Sequence, residues 1–243
     1  MEIINYETTG RGRACELMLR RSALPYKTLF LLPIPTTRNG STLSRSGEDI
    51  KELTQKADTG TAFFGYGIPE FAKVDILGAG GVVCDSLLDE RFLEENGRLT
   101  AEATLGIILT SSEKAVSDLT VGVVGYGRIG KRLVHLLLSL SAKVRVFTTK
   151  EEVMLDLGAA GIDCCKSVDG ADLSGLDILI NTAPSVIFGS DCIPPQLRII
   201  ELASGDNFGE RAVERYPSLP AVCYPESAGR LWAESILRML GGG

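Results

Sequence analysis

The sequence is poor in histidine and tryptophan, with one of each, and aromatic residues make up only 6% of its 243 positions. Histidine is the commonest proton acceptor near neutral pH. With His135 as its one representative, a Ser/His/Asp hydrolase has no support. The six cysteines (Cys15, Cys84, Cys164, Cys165, Cys192, Cys223) form no CxxC pair. Together with the single histidine, that removes the case for a zinc or other metal site. Most of these cysteines lie in apolar runs, the pattern of reduced, buried thiols in a cytoplasmic protein. No apolar run approaches the ~20 residues of a membrane span. The opening MEIINYETTGRGR lacks the apolar core of a signal peptide. There is no basic cluster, and net charge is −6 with a pI near 5.0, so nucleic acid is not an expected partner. What remains, 44% hydrophobic and 23% charged, describes a globular protein of one or two domains.

The most informative stretch is 120–150, TVGVVGYGRIGKRLVHLLLSLSAKVRVFTTK. An apolar run leads into Gly125-Tyr126-Gly127-Arg128-Ile129-Gly130, then a helix-like segment, then a second apolar run. Strand, glycine turn, helix and strand within about 30 residues is the setting in which GxGxxG signals dinucleotide binding. Gly125 allows the tight turn, Gly127 lets a pyrophosphate approach the backbone, and Gly130 lets the helix pack close to the strand. The helix-start N–H groups then hold phosphate oxygens. The end of the second strand distinguishes the nucleotides. NAD sites place a carboxylate there for the ribose 2′-hydroxyl. This chain has Thr148, Thr149 and Lys150, which suit a 2′-phosphate and favour NADP, although Glu151 and Glu152 follow at once and leave NAD open.

The rest of the chain predicts an α/β fold: a Rossmann-type doubly wound parallel sheet with a second, smaller α/β domain and a cleft between them. Residues 1–99 read as the smaller domain. It has a helix over 13–21, strands over 28–34, 61–66 and 81–87, a polar helix over 46–56, and a short helix over 89–95 capped by Asp89 and ended by Gly97. A bridging helix is expected over 100–115, and 100–226 form the dinucleotide-binding domain. Its further strands are expected at 177–181, 197–203 and 219–224. The last helix, 227–243, is capped by Ser227, carries Trp232, Ile236 and Leu240 on one face, and is expected to pack back on the first domain.

Ligands of open α/β sheets bind beyond the carboxyl ends of the strands. The candidate site is therefore the loops 36–40, 125–130, 148–150, 182–185 and 203–206. Thr182, Ala183 and Pro184 are expected beside the cofactor, and Thr36, Thr37, Arg38, Ser185 and Ser204 beside the substrate. His135 lies inside the helix after the glycine turn and reads as structural. That argues against a D-2-hydroxyacid dehydrogenase, whose catalytic histidine lies late in the chain. The available acids are Glu102, in the first turn of the expected bridging helix, Glu201, inside an apolar run, and Glu226, before the last helix. Helix-dipole complementarity accounts for Glu102 equally well. Arg38 is the candidate receptor for a substrate carboxylate, or else an exposed loop arginine.

These segments resemble one family, the A-type chains of dipicolinate synthase from endospore-forming bacteria. The resemblance rests on LLPIPTTRNG (31–40), TAEAT (100–104), GYGRIGKRL (125–133), INTAPSVI (180–187), ELAS (201–204) and SAGRLWAESIL (227–237). It implies oxidation of dihydrodipicolinate, or its hydroxylated precursor, to dipicolinate during sporulation, with NADP or NAD as hydride acceptor. It also implies a flavoprotein-like partner chain, the second component of that synthase, and a homo-oligomer. Under it, Thr36, Thr37 and Arg38 hold one carboxylate of a small dicarboxylate, and Glu102 or Glu201 takes the proton. Three departures stand out: a shorter opening before LLPIPTT, a reduced loop at 204–208, and a shortened loop at 224–226. The alternatives are another nicotinamide oxidoreductase on the same scaffold, or a non-catalytic nucleotide-binding member of a complex.

Overall fold

The computed structural model describes residues 1–166, 172–184, 193–203, 207–208 and 212–241. The chain divides into unit 1, Met1–Leu99 with Pro220–Gly243, and unit 2, Thr100–Leu219.

Unit 1 is built on four parallel strands in the order β1 (Glu2–Asn5), β2 (Thr28–Leu31), β3 (Thr61–Gly65), β4 (Val82–Asp85). Helices α1 (Gly10–Leu19), α2 (Ile50–Thr54) and α3 (Glu70–Gly78) alternate with them. The continuous apolar runs of β2 and β3 follow from burial on both faces. Alternate residues separate accordingly. Leu29, Leu31, Ala62 and Phe64 join Cys15, Leu19, Trp232 and Ile236 in one core layer. Phe30 and Phe63 join Ile50, Leu53, Ala72 and Ile76 in the other, their rings stacked at 4.3 Å.

The opening segment is a paired strand: β1 lies in register with β2 from Glu2 opposite Thr28 to Asn5 opposite Leu31. The expected break at Gly97 is also absent. A single helix, α4, runs Glu90–Ser111, and the boundary between the units falls inside it. Its start is set by Asp89, whose carboxylate accepts the Phe92 N–H at 3.1 Å. A glycine inside a helix costs about 1 kcal/mol. Burying Phe92, Leu99 and Ile108 on the same helix contributes about 1.5–3 kcal/mol each and outweighs it.

The last expected strand is a helix instead. Residues Leu219–Cys223 form a short helix, α5, and α6 (Pro225–Met239) follows, starting at Pro225 and not at Ser227. Ser218 adopts a left-handed φ of 59°, which turns the chain, and Pro220 lacks the N–H a strand ladder needs. Val222 and Cys223 are exposed as a result, so Cys223 is not a buried thiol. Helix α6 packs on α1 at very short range: a Cβ on Gly229 would lie 2.4 Å from the Ala14 Cβ and 2.6 Å from the Arg11 carbonyl oxygen.

Among the described residues, unit 2 contains six parallel strands: β5 (Thr120–Val124), β6 (Lys143–Phe147), β7 (Asp163–Cys165), β8 (Ile178–Asn181), β9 (Arg198–Glu201) and β10 (Glu214–Arg215). Their order across the sheet is β10-β9-β8-β5-β6-β7. Chain order reverses between β5 and β8, which makes this the doubly wound arrangement with its crevice at that point. Helix αA (Arg128–Ser139) and helix αB (Glu151–Ala159) make the first two crossovers. Val121 and Val123 pack on Leu133, Val134 and Leu137 of αA, while Val124, Phe147, Leu179 and Ile199 face the opposite layer. The two-residue edge strand β10 is tied to β9 by Arg198, which donates to both Glu214 oxygens at 2.6 and 2.8 Å.

Just beyond β1, Glu7 is wholly buried among two arginines. Its oxygens accept from the Ile34 N–H at 2.9 Å and Arg45 Nε at 3.1 Å, and also from the Thr9 hydroxyl; Arg11 lies 3.5 Å away. Burial pushes the Glu7 carboxyl up, but Arg11, Thr9, the Ile34 N–H and Arg45 together outweigh it, and its pKa falls below the ordinary 4.5. A depressed folded-state pKa contributes stability that is present above the unfolded value and lost as pH falls through the folded one. Unfolding in urea should therefore show wild-type stability declining below about pH 4.5. Glu7→Gln should cost about 3–5 kcal/mol at neutral pH, because Arg11 is left buried without its counter-charge. A variant as stable as the wild type at neutral pH would show that the arginines do not depend on Glu7.

Candidate functional site

The glycine turn after β5 has the form a dinucleotide requires. Gly125 sits at φ +87°, a left-handed conformation that side chains disfavour, and a Cβ there would meet the Thr182 hydroxyl at 2.8 Å. A Cβ on Gly130 would lie 2.1 Å from the Gly125 carbonyl oxygen, so only glycine lets αA start this close to β5. At Gly127 nothing lies within 4 Å of that position. The space a side chain would fill is open, as a backbone cradle for a pyrophosphate needs. Gly127 is also the N-cap of αA, and no side chain caps that helix start. The first N–H groups of a helix have no intrahelical acceptor, so an anion can meet them there. Arg128 and Tyr126 flank this opening on the chain.

Loop 182–184 is fastened to the same turn. The Thr182 hydroxyl donates to the Val124 carbonyl at 2.8 Å, and its N–H donates to the same oxygen at 2.9 Å. Thr182 thus braces the turn from β8, with Ala183 and Pro184 next along the chain. Ser185 and Ser204, the two expected substrate-binding serines, lie outside the described residues, as does Cys192.

Glu201 does not have the geometry of a general base. It is 2% exposed, at the end of β9. The Asn181 amide donates to its two oxygens at 3.0 and 3.2 Å, the Ala203 N–H donates at 2.8 Å, and the Asn207 amide at 3.2 Å. A carboxylate has about four acceptor positions, and here neutral donors take them all. The Asn181 side-chain oxygen in turn accepts the Ala183 N–H at 3.1 Å. Glu201 therefore ties the ends of β8 and β9 together and holds Ala203 and Asn207 against them.

Glu102 is half-buried in the interior of α4, not in a first turn, because the helix begins twelve residues earlier at Glu90. The dipole explanation for it disappears with that. On unit 1, Thr36 is fully buried, and its hydroxyl accepts the Tyr66 N–H at 2.9 Å, so it secures the end of β3. Thr37 accepts the Gly40 N–H at 3.0 Å within its own turn. Arg38 is exposed beside them. Of the three, Arg38 is the group positioned to meet a solute.

At the end of β6 the three expected 2′-phosphate ligands separate. Thr148 is 7% exposed and its hydroxyl accepts the Lys150 N–H at 3.3 Å, so it serves the turn. Thr149 and Lys150 face solvent. A residue that the sequence does not single out joins them. Lys166 directly follows β7, and the Thr148 N–H donates to the Cys165 carbonyl at 3.0 Å, so Lys166 emerges beside the same loop. Its ammonium pairs with Glu151 at 3.2 Å. The carboxylate that weakens the NADP reading thus has a cation of its own. The signal is the short GIDCC run before Lys166, which reads as a strand only once its pairing with β6 is known. His135 is exposed on αA, with its Nε2 3.5 Å from the Tyr126 hydroxyl. Among the described residues, no group of three His, Cys, Asp or Glu side chains is placed to hold a metal ion, and no helix is long and apolar enough to cross a membrane.

No protein-family model and no curated protein sequence matches the chain. Solved structures do. Dipicolinate synthase from Bacillus subtilis, in its A-type chain, aligns with a TM-score of 0.74 and 18% identity over 96% of this chain and 93% of its own. The corresponding dipicolinate synthase chain from Bacillus halodurans aligns at 0.70 and 22% identity, over 87% and 79%. The D-isomer specific 2-hydroxyacid dehydrogenase from Lactobacillus delbrueckii ssp. bulgaricus, in its NAD-complexed form, aligns at 0.53 and 11% identity, over 100% and 98%. At such identities the likeness establishes the fold: an α/β, Rossmann-type scaffold shared with nicotinamide-dependent dehydrogenases.

The two glycines separate binding from stability. Gly127→Ala should cost no more than about 1 kcal/mol of stability, the loss expected for alanine at an N-cap, since its Cβ enters open space, yet lose about tenfold or more in nicotinamide-dinucleotide affinity. Gly130→Ala should cost about 1–3 kcal/mol of stability by overpacking. Thermal unfolding and a titration followed by NADPH fluorescence read both. Undiminished NADPH binding by Gly127→Ala would remove the phosphate-cradle reading.

Proposed function

We propose that this chain is a nicotinamide-dependent oxidoreductase of the dipicolinate synthase type. It oxidises dihydrodipicolinate, or its hydroxylated precursor with loss of water, to dipicolinate in the cytoplasm of a sporulating cell, with NADP as the favoured hydride acceptor. The observation that carries this reading is the glycine turn at the β5/β8 crevice: left-handed at Gly125, open at Gly127, and closed against αA by Gly130. The LLPIPTT, TAEAT and INTAPS segments, with the shared fold, support the finer assignment.

Bound at that turn, the nicotinamide ring would supply the hydride acceptor. The chain's own groups do the rest. The N–H groups at the start of αA hold the pyrophosphate. Thr149, Lys150 and Lys166 receive a 2′-phosphate, with Lys166 offsetting Glu151. Glu201, through Asn181 and Asn207, keeps the loops after β8 and β9 in place. Glu102 accepts the proton that leaves the ring as it becomes aromatic. Arg38 offers its guanidinium to one substrate carboxylate, as planar donors suit a carboxylate. The same reading includes a flavoprotein-like partner chain and assembly as a homo-oligomer.

NADPH should bind more tightly than NADH. Lys150→Ala and Lys166→Ala should each weaken NADPH about three- to tenfold and leave NADH unchanged, because exposed charge-assisted contacts are worth about 1 kcal/mol. Equal losses for both nucleotides would sink the 2′-phosphate assignment. In a dihydrodipicolinate assay, Glu102→Gln should lower turnover about a hundredfold or more with NADPH affinity unchanged. Full turnover by that variant would remove Glu102 as the proton acceptor. Nucleotide binding with no turnover by the wild type would point to a different substrate.

A further inference from the structure

Unit 2 contains a second concavity, between αA and αB, that the dinucleotide reading does not use. Its volume is about 340 Å³, at the lower end of the range for small-molecule sites. Helix αA contributes Lys131 and His135, four residues apart and so on one face. Tyr126, from the glycine turn, also lines it, and αB contributes Asp156. Val153, Leu157 and Ile162 supply an apolar wall.

The polar groups here retain bonding capacity. Lys131 and Asp156 carry opposite charges and line one cavity, yet no ion pair or side-chain hydrogen bond engages either among the described residues. The Tyr126 hydroxyl and His135 Nε2 are 3.5 Å apart, at the outer limit of a hydrogen bond. Burial, and then Asp156, push the Tyr126 phenol up, so it remains a neutral donor at physiological pH.

A cavity with an ammonium and an imidazole from one helix, a carboxylate from the other, and an apolar wall is complementary to a zwitterion with an apolar body. A plain carboxylate would face Asp156 unpaired. A plain amine would face Lys131. Each mismatch disfavours that ligand, which makes the pattern selective. We infer that this groove binds an α-amino acid with a branched or aromatic apolar side chain, and that the occupant regulates the glycine turn. The ligand's carboxylate meets Lys131, His135 and the Tyr126 hydroxyl. Its ammonium meets Asp156, and its side chain lies on Val153, Leu157 and Ile162. Because Tyr126 stands between Gly125 and Gly127, its engagement bears on dinucleotide affinity, and the coupling is reciprocal. This regulatory part rests on the proposed nucleotide site; the binding part does not.

The test is calorimetric titration of the full chain with L-leucine and L-phenylalanine, without nucleotide. Isocaproate, which lacks the ammonium, and isoamylamine, which lacks the carboxylate, serve as comparisons. The expected result is saturable binding of the amino acids, with each comparison compound about tenfold weaker or more. Asp156→Asn and Lys131→Met, both at exposed positions that leave folding intact, should each cause a similar loss. Saturating L-leucine should shift NADPH affinity by about fivefold or more, in either direction. No binding of either amino acid, binding unchanged in both variants, or isocaproate equal to leucine would each overturn the site. Amino-acid binding with unchanged NADPH affinity would overturn the regulatory role. If NADPH itself fails to bind, the functional proposal fails, while the amino-acid titration still decides the groove.

Discussion

A side chain on Gly130 would begin 2.1 Å from the carbonyl oxygen of Gly125, and the rest of unit 2 depends on that distance. Only a hydrogen at Gly130 lets the first turn of αA sit against the end of β5. Once it does, Leu133, Val134 and Leu137 reach Val121 and Val123, and that face of the sheet closes. The same contact places the start of that helix at the end of β5, beside which chain order reverses. Thr182 then ties β8 to the turn, so the strands on both sides of the crevice share one rigid element. A dinucleotide cradle and a packed core are therefore the same structural event.

Each unit also buries a carboxylate at the end of a strand, and the two are held differently. Glu7 is surrounded by Arg11 and Arg45, so it is kept ionised by opposite charge, and removing it strands a guanidinium in the core. Glu201 has two asparagine amides and a backbone N–H instead. Neutral donors stabilise a buried anion without adding a counter-charge, and they impose direction on the loops they come from. The first arrangement anchors a domain. The second ties the ends of two neighbouring strands to the residues that follow them, and it accounts for an acid inside an apolar run.

The departures from expectation share a cause. Gly97 resembles a helix end, but the apolar face of α4 buries enough area to carry the helix through it. LPAVCY resembles a strand by composition, but the edge position is taken by Glu214–Arg215, and Pro220 could not join a ladder. Thr148 resembles a ligand, but its hydroxyl is consumed by the turn it occupies. In each case local preference is weak and packing or hydrogen bonding elsewhere decides the outcome.

The α/β class, the glycine turn and the apolar strands are legible in the chain before any folding, because they follow from local rules: backbone freedom at glycine, periodicity of two or 3.6, and burial of continuous apolar runs. The acid–base chemistry is bounded in the same way, since one histidine inside a helix leaves carboxylates as the available proton acceptors. Which side chains share a site is a different matter, settled by folding alone. Lys166 meets Glu151 across 15 residues, Asn181 meets Glu201 across 20, and Glu7 meets Arg45 across 38. Those meetings depend on strand order and register, which distant segments set together and no local pattern records.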